Sequence, residues 1–172
     1  AYVYTINNPY KYADAEGRAV YLVARGLETM GGWGGVHTYL ILKPDNPSEF
    51  NGIKGWTIGG CEDNGRLSAE INNPVDTNPS EFHYPKALQK ISAPNGVSDT
   101  DFINNIMKSF VKYKSGSRKY RPFPKVDQNQ GNCNNITSGA LVGAGVSPDA
   151  LKRINVIGFK PGLGKPLSEM VK

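Results

Sequence analysis

The sequence predicts one domain of mixed strand and helix, and three observations lead there. At 172 residues the chain has the size of a single hydrophobic core. Its first half carries short β-rich runs, VHTYLILK and IKGWTIGG, separated by turn residues. Its second half carries apolar residues at helical spacing, in SDTDFINNIMKSFVKY and again after NCNN. No internal repeat or linker divides residues 1–172.

In chain order, YVYTI reads as a strand, and DAEGRAVYLVARGLETMGG reads as a helix because Ala19, Leu22, Val23 and Leu27 fall near helical spacing. Gly31 and Gly32 would end it. Four glycines around Trp33 permit close approach of backbone or ligand, which makes Trp33 a substrate-cleft candidate. A β-run from Val36 to Leu42, the turn PDNPSEFNG and the run IKGWTIGG then predict an antiparallel hairpin over residues 36–60. Alternation puts Val36, Thr38, Leu40 and Leu42 on one face of its first strand and His37, Tyr39 and Ile41 on the other.

Residues 61–98, rich in Asn, Pro and Ser, read as a long excursion with a strand near Arg66 to Ile71. From an N-cap at Ser98, the residues Phe102, Ile103, Ile106, Met107, Phe110 and Val111 predict a helix. A Pro-containing loop leads to a second helix from about Cys133 to Ala144, with Ile136, Ala140 and Leu141 on one face. The tail VSPDALKRINVIGFKPGLGKPLSEM, broken by Gly and Pro at short intervals, reads as a strand-and-loop wrap.

Composition narrows the class. With 38% hydrophobic residues, 20 Gly, 12 Pro and 9 Tyr, the chain describes a loop-rich globular protein and not a disordered tail. No run of about 18 apolar residues occurs, so no transmembrane helix is expected. The chain starts at Ala1 with no basic-then-apolar leader, as a processed form or an excised domain would. A net charge of +5 favours anionic partners such as cell-wall polymers, acidic lipids or nucleic acid. The segment KYKSGSRKYRPFPK interleaves Tyr113, Tyr120 and Phe123 with cations, yet no RNA- or DNA-binding motif accompanies it, and it reads as a solvated loop. No nucleic-acid partner is expected. Dinucleotide, P-loop, zincin and GxSxG patterns are absent, as are metal-ligand spacings, so neither cofactor nor metal is expected.

Chemistry concentrates in DQNQGNCNNITSGALVGAGV, where Cys133 stands as a polar loop becomes an apolar helix. A helix N-terminus presents unpaired N–H groups and a partial positive charge, and both stabilise a thiolate. The same N–H groups can receive an oxyanion. A base is then required, and the chain offers two imidazoles. His37 opens a β-run beside a glycine-rich loop; His83, in NPSEFHYPK, reads as a surface loop residue. Buried structural cysteines and ordinary histidines are common, so composition and periodicity leave the role of a Cys133–His37 pair open.

The order of VHTYLIL, then GNCNNITSGAL preceded by an amphipathic helix, resembles the circularly permuted branch of the NlpC/P60 papain-like superfamily, which includes the lecithin–retinol acyltransferase-like proteins. The resemblance spans roughly residues 30–146. It implies an α+β fold in which an antiparallel sheet packs against the cysteine helix, with residues 1–172 as one catalytic domain. Carried over by residue, Cys133 is the nucleophile and His37 the general base. A third polar group from the next strand usually orients the imidazole; that strand offers Thr57, with Glu62 just beyond. Asn132, beside the cysteine, is a further cleft candidate.

Such proteins divide into cell-wall peptidases and amidases, lipid acyltransferases or phospholipases, and isopeptidases. A basic chain without an apolar anchor favours the first, a thiol-dependent peptidoglycan hydrolase cleaving amide bonds of stem peptides. The resemblance extends to antibacterial effectors that are secreted or delivered to a competitor's periplasm and met there by a cognate inhibitor protein. Three other readings stay open, the first being a lipid acyltransferase or phospholipase of the same superfamily. TIGGC, residues 57–61, faintly resembles the L,D-transpeptidase signature, with Cys61 as nucleophile, although the carboxylates of Glu62 and Asp63 would raise its thiol pKa. Alternatively, a Cys61–Cys133 disulfide would leave a non-catalytic binding module.

Overall fold

The computed structural model describes residues 19–26, 35–77, 87–114, 118–125, 129–154 and 163–165. Among them are the strands β1 (Ala19–Gly26), β2 (Val36–Lys43), β3 (Trp56–Asp63), β4 (Arg66–Ile71), β5 (Ala87–Ile91), β6 (Lys119–Tyr120) and β7 (Gln130–Gly131). The helices are α1 (Pro74–Thr77), α2 (Asp99–Val111), α3 (Cys133–Gly143) and α4 (Pro148–Arg153). The strands form one sheet in the order β5-β1-β2-β3-β4-β6-β7. Neighbours run antiparallel except β6 and β7, which are parallel. The architecture is thus mixed α+β, with the helices α2 and α3 supplying one wall of the core.

The run AVYLVARG is a strand and not the helix expected from its spacing. It pairs with β2 on one side and β5 on the other. Val20, Leu22 and Ala24 bury in the core shared with the helices, while Tyr21 and Val23 bury in a second cluster with Tyr39 and Ile41. A strand covered on both faces is apolar at every position, and such a run contains helix-spaced residues by default. The strand expected at YVYTI lies outside the described residues.

The alternation expected for β2 holds. Val36, Leu40 and Leu42 join Ile58 and Leu67 under the helices, whereas Tyr39 and Ile41 face the opposite side. Helix α2 starts where Ser98 Oγ accepts the Asp101 N–H at 3.1 Å, and it buries Phe102, Ile103, Ile106 and Phe110. Helix α3 contributes Ile136, Ala140 and Leu141. The two helices close tightly because a Cβ at Gly139 would overlap Tyr113, and one at Gly143 would overlap Ser109. In the tail, Pro148 at the first turn starts helix α4 where a strand-and-loop wrap was expected. No helix among the described residues is long and apolar enough to cross a membrane.

One irregularity positions everything that follows. The expected hairpin forms, but β2 and β3 pair only from Tyr39↔Gly59 to Leu42↔Trp56. Beyond that point the start of β2 stays with β1, through Arg25↔His37 and Gly26↔Val36. The end of β3 stays with β4, through Gly60↔Ala69 to Asp63↔Arg66. Two central strands therefore part, and their backbone groups need other partners.

Candidate active site

The first turn of α3 supplies those partners. Asn134 Nδ2 donates to the Val36 carbonyl at 3.1 Å, and its Oδ1 accepts the Thr38 N–H at 3.0 Å and the Thr38 hydroxyl at 2.8 Å. Thr137 Oγ1 donates to the Thr38 carbonyl at 3.0 Å. The helix thus stands in for the missing strand. Asn132 caps it, accepting the Asn135 N–H at 3.1 Å while Asn135 Oδ1 accepts the Asn132 N–H at 3.0 Å. Asn135 Nδ2 also donates to the Lys165 carbonyl at 2.8 Å. Each asparagine of NCNN has a separate task, and none of their side chains is left over for substrate. Asn132, expected in the cleft, is 2% exposed and spends its Nδ2 on the Pro122 carbonyl.

Cys133 is thereby fixed at the first position of α3. Its Cα presses on Gly60, where an added Cβ would come within 2.9 Å of it. On the opposite face of β3, Gly59 leaves room for Asp76, whose Oδ2 would lie 3.1 Å from a Cβ there. Adjacent glycines in a strand interior mark close approach. Here the approach comes from both faces: the cysteine helix on one side, a carboxylate on the other.

Asp76 meets His37. Its Oδ1 lies 2.9 Å from His37 Nε2, with both groups buried, so Asp76 accepts a hydrogen bond from the Nε2–H of His37. The ring of Tyr39 stacks against His37 at 5.7 Å. Asp76 sits on the short helix α1, which Asn73 starts by accepting the Val75 N–H at 3.0 Å. Thr57, expected to orient the imidazole, pairs instead with Ile41, and its hydroxyl is buried without a hydrogen-bond partner. The orienting group comes from the excursion after β4 and not from the adjacent strand. Its sequence signals were the Asn-Pro start of NNPVDT and the double glycine of TIGGC.

Cys133, His37 and Asp76 line one cleft of about 180 Å³, together with Arg25, Gly60, Cys61, Glu62 and Tyr120. Cys133 is 3% and His37 5% exposed, so the pair is buried at the floor of this cleft. Trp33 and His83 lie outside the described residues.

Burial pushes the Cys133 thiol up, but the adjacent His37 charge and hydrogen bond, with the Thr38 and Asn134 backbone N–H groups, bring it below its usual value. Burial pushes His37 down, yet the Cys133 charge and then Asp76 raise it to about 9. The two shifts agree: each group stabilises the charged form of the other, as a thiolate–imidazolium pair requires. Cys61 is the reverse case. Its thiol donates to Glu70 Oε1 at 3.0 Å, and burial followed by that carboxylate pushes it up to about 12. Tyr120 is also pushed up to about 12, by burial and then by the Cys133 charge, so its hydroxyl keeps its proton. Both cysteines are free thiols, so the disulfide weighed above is not formed.

Among the described residues, no group of three or more His, Cys, Asp or Glu side chains is arranged to hold a metal ion. No family model matches the chain, and no curated protein or solved structure matches it.

Proposed function

We propose that the chain is a thiol hydrolase of amide bonds, with Cys133 as nucleophile, His37 as general acid and base, and Asp76 as the group that orients His37. The observation that carries this reading is the meeting of these three side chains at the floor of one cleft, with the pKa of Cys133 lowered and that of His37 raised to about 9. The thiolate attacks the carbonyl carbon, forming the C–S bond and an oxyanion. The Cys133 N–H, at the first position of its helix, and the protonated Tyr120 hydroxyl are the donors proposed for that oxyanion. His37 gives its proton to the amine nitrogen as the C–N bond breaks. Water then attacks the thioester, His37 takes the water proton, and the thiolate leaves.

The substrate class proposed is the stem peptide of peptidoglycan, on the strength of the net charge of +5 and of the resemblance to circularly permuted NlpC/P60 hydrolases. On this reading the protein acts outside the cytoplasm on a bacterial wall, as an antibacterial effector would.

Two measurements test it. Purified peptidoglycan, incubated with the protein, should release fragments whose masses report amide cleavage; Cys133→Ala and His37→Ala should abolish release, and Cys61→Ala should keep most of it. Full activity in Cys133→Ala would reject the assignment. Iodoacetamide at pH 7 should alkylate Cys133 well ahead of Cys61, whose thiolate fraction at a pKa of about 12 is on the order of one in 10⁵. Preferential labelling of Cys61 would reverse the assignment of nucleophile.

A further inference from the structure

Arg25 is the cation of the cleft that the proposed chemistry does not use. It lies on β1 directly opposite His37, and its side chain, 18% exposed, lines the same cleft as Cys133. Its nearest charge is Asp76, with Nε 3.6 Å from Oδ1, beyond hydrogen-bond reach. Nε is buried and has no hydrogen-bond partner. The carboxylate that faces it is already held by His37 at 2.9 Å. A guanidinium carries five donors in a planar fork, and a single donor buried without a hydrogen bond, as Nε is here, is costly. Such a group at the edge of a reaction site fits an anionic oxygen pair brought by the substrate.

The other acid of the cleft does not fill this place. Glu62 Oε1 accepts the Gly65 N–H in the β3–β4 turn, which draws it away. Glu70 accepts from Cys61 and from Asn73.

We propose that Arg25 is a specificity residue that binds a free carboxylate on the substrate next to the scissile amide, so that the preferred substrate is an acidic peptide and not a neutral one. This rests on the hydrolase reading above and narrows it. An alternative role, holding Asp76 in place, predicts a different outcome in the same experiment.

The test uses a purified disaccharide-tetrapeptide muropeptide and the same compound with its carboxylates converted to carboxamides. Wild-type kcat/KM should fall roughly 10- to 100-fold on amidation, the worth of one charge-assisted hydrogen-bonded contact. Arg25→Gln should show that same fall on the acidic substrate and lose almost nothing on the amidated one. Equal losses on both substrates would overturn the proposal and make Arg25 a support for Asp76; so would a wild-type protein indifferent to amidation. Calorimetric binding to Cys133→Ala separates this from the fate of the hydrolase reading, because it needs no turnover. That variant should bind the acidic muropeptide at least tenfold more tightly than the amidated one, and equal affinities would sink the role of Arg25.

Discussion

Asp76 shows what one residue contributes and why it was hard to read from the sequence. A lone carboxylate in an Asn- and Pro-rich stretch carries no periodic signal, and only the fold brings it to a histidine 39 positions earlier. Cys133 and His37 stand out in the sequence because each marks a recognisable boundary, the start of a helix and the start of a β-run, whereas a role for the pair came only from the resemblance. Thr57 stood on the expected neighbouring strand but has Ile41 as its pairing partner. Replacing Asp76 by Asn removes the negative end of the contact that helps raise His37 to about 9. On the hydrolase reading proposed above, the reactive ion pair would exist between the lowered pKa of Cys133 and that value. The profile of kcat/KM should therefore rise as Cys133 ionises and fall as His37 loses its proton. In Asp76→Asn the alkaline limb should move to lower pH, and kcat should drop on the order of 10²- to 10⁴-fold, as when an orienting carboxylate is lost elsewhere. An unmoved alkaline limb would show that Asp76 does not act through the imidazole.

At the level of elements, the decisive event is the parting of β2 and β3 and its repair by α3. The sequence predicted both strands and the helix, because alternation in VHTYLIL and the change from polar loop to apolar run at Cys133 are local patterns. Their separation is not local: it depends on Asn134 meeting Val36 and Thr38 across 98 and 96 positions. Likewise, β1 carries a helix-like spacing in its sequence because burial on both faces erases the alternation that marks a strand. Asn134→Ala would leave the Thr38 N–H and the Val36 carbonyl buried and unpaired, at about 1–3 kcal/mol each. Urea unfolding should show a loss of roughly 2–5 kcal/mol, and alkylation of Cys133 should slow at neutral pH because one end of the site has loosened. Stability within about 0.5 kcal/mol of wild type would mean that the helix is held to the sheet by its apolar face alone.

For the whole molecule, charge and topology act together. The segment 112–125 reads from sequence as a solvated basic loop, and the exposed side chains of Lys119, Arg121 and Lys125 fit that reading. What the sequence could not reveal is where it runs. Strand β6 lies between β4 and β7 and carries Tyr120 into the cleft, so Lys119 and Arg121 flank a residue of the candidate site. An exposed cation beside a cleft raises the local concentration of an anionic polymer without touching the chemistry at its floor. The Debye length shortens from about 10 Å at 0.1 M salt to about 3 Å at 1 M, so this contribution is screened while the buried Cys133–His37–Asp76 contacts are not. Hydrolysis of intact peptidoglycan should show a KM that rises several-fold between about 0.05 and 0.5 M salt, with kcat nearly constant. The pair Lys119→Glu and Arg121→Glu should raise KM at low salt to the high-salt value and flatten its salt dependence. A parallel fall in kcat would instead mean that these substitutions disturb Tyr120, and a salt-independent KM would remove surface charge from the account of how substrate arrives.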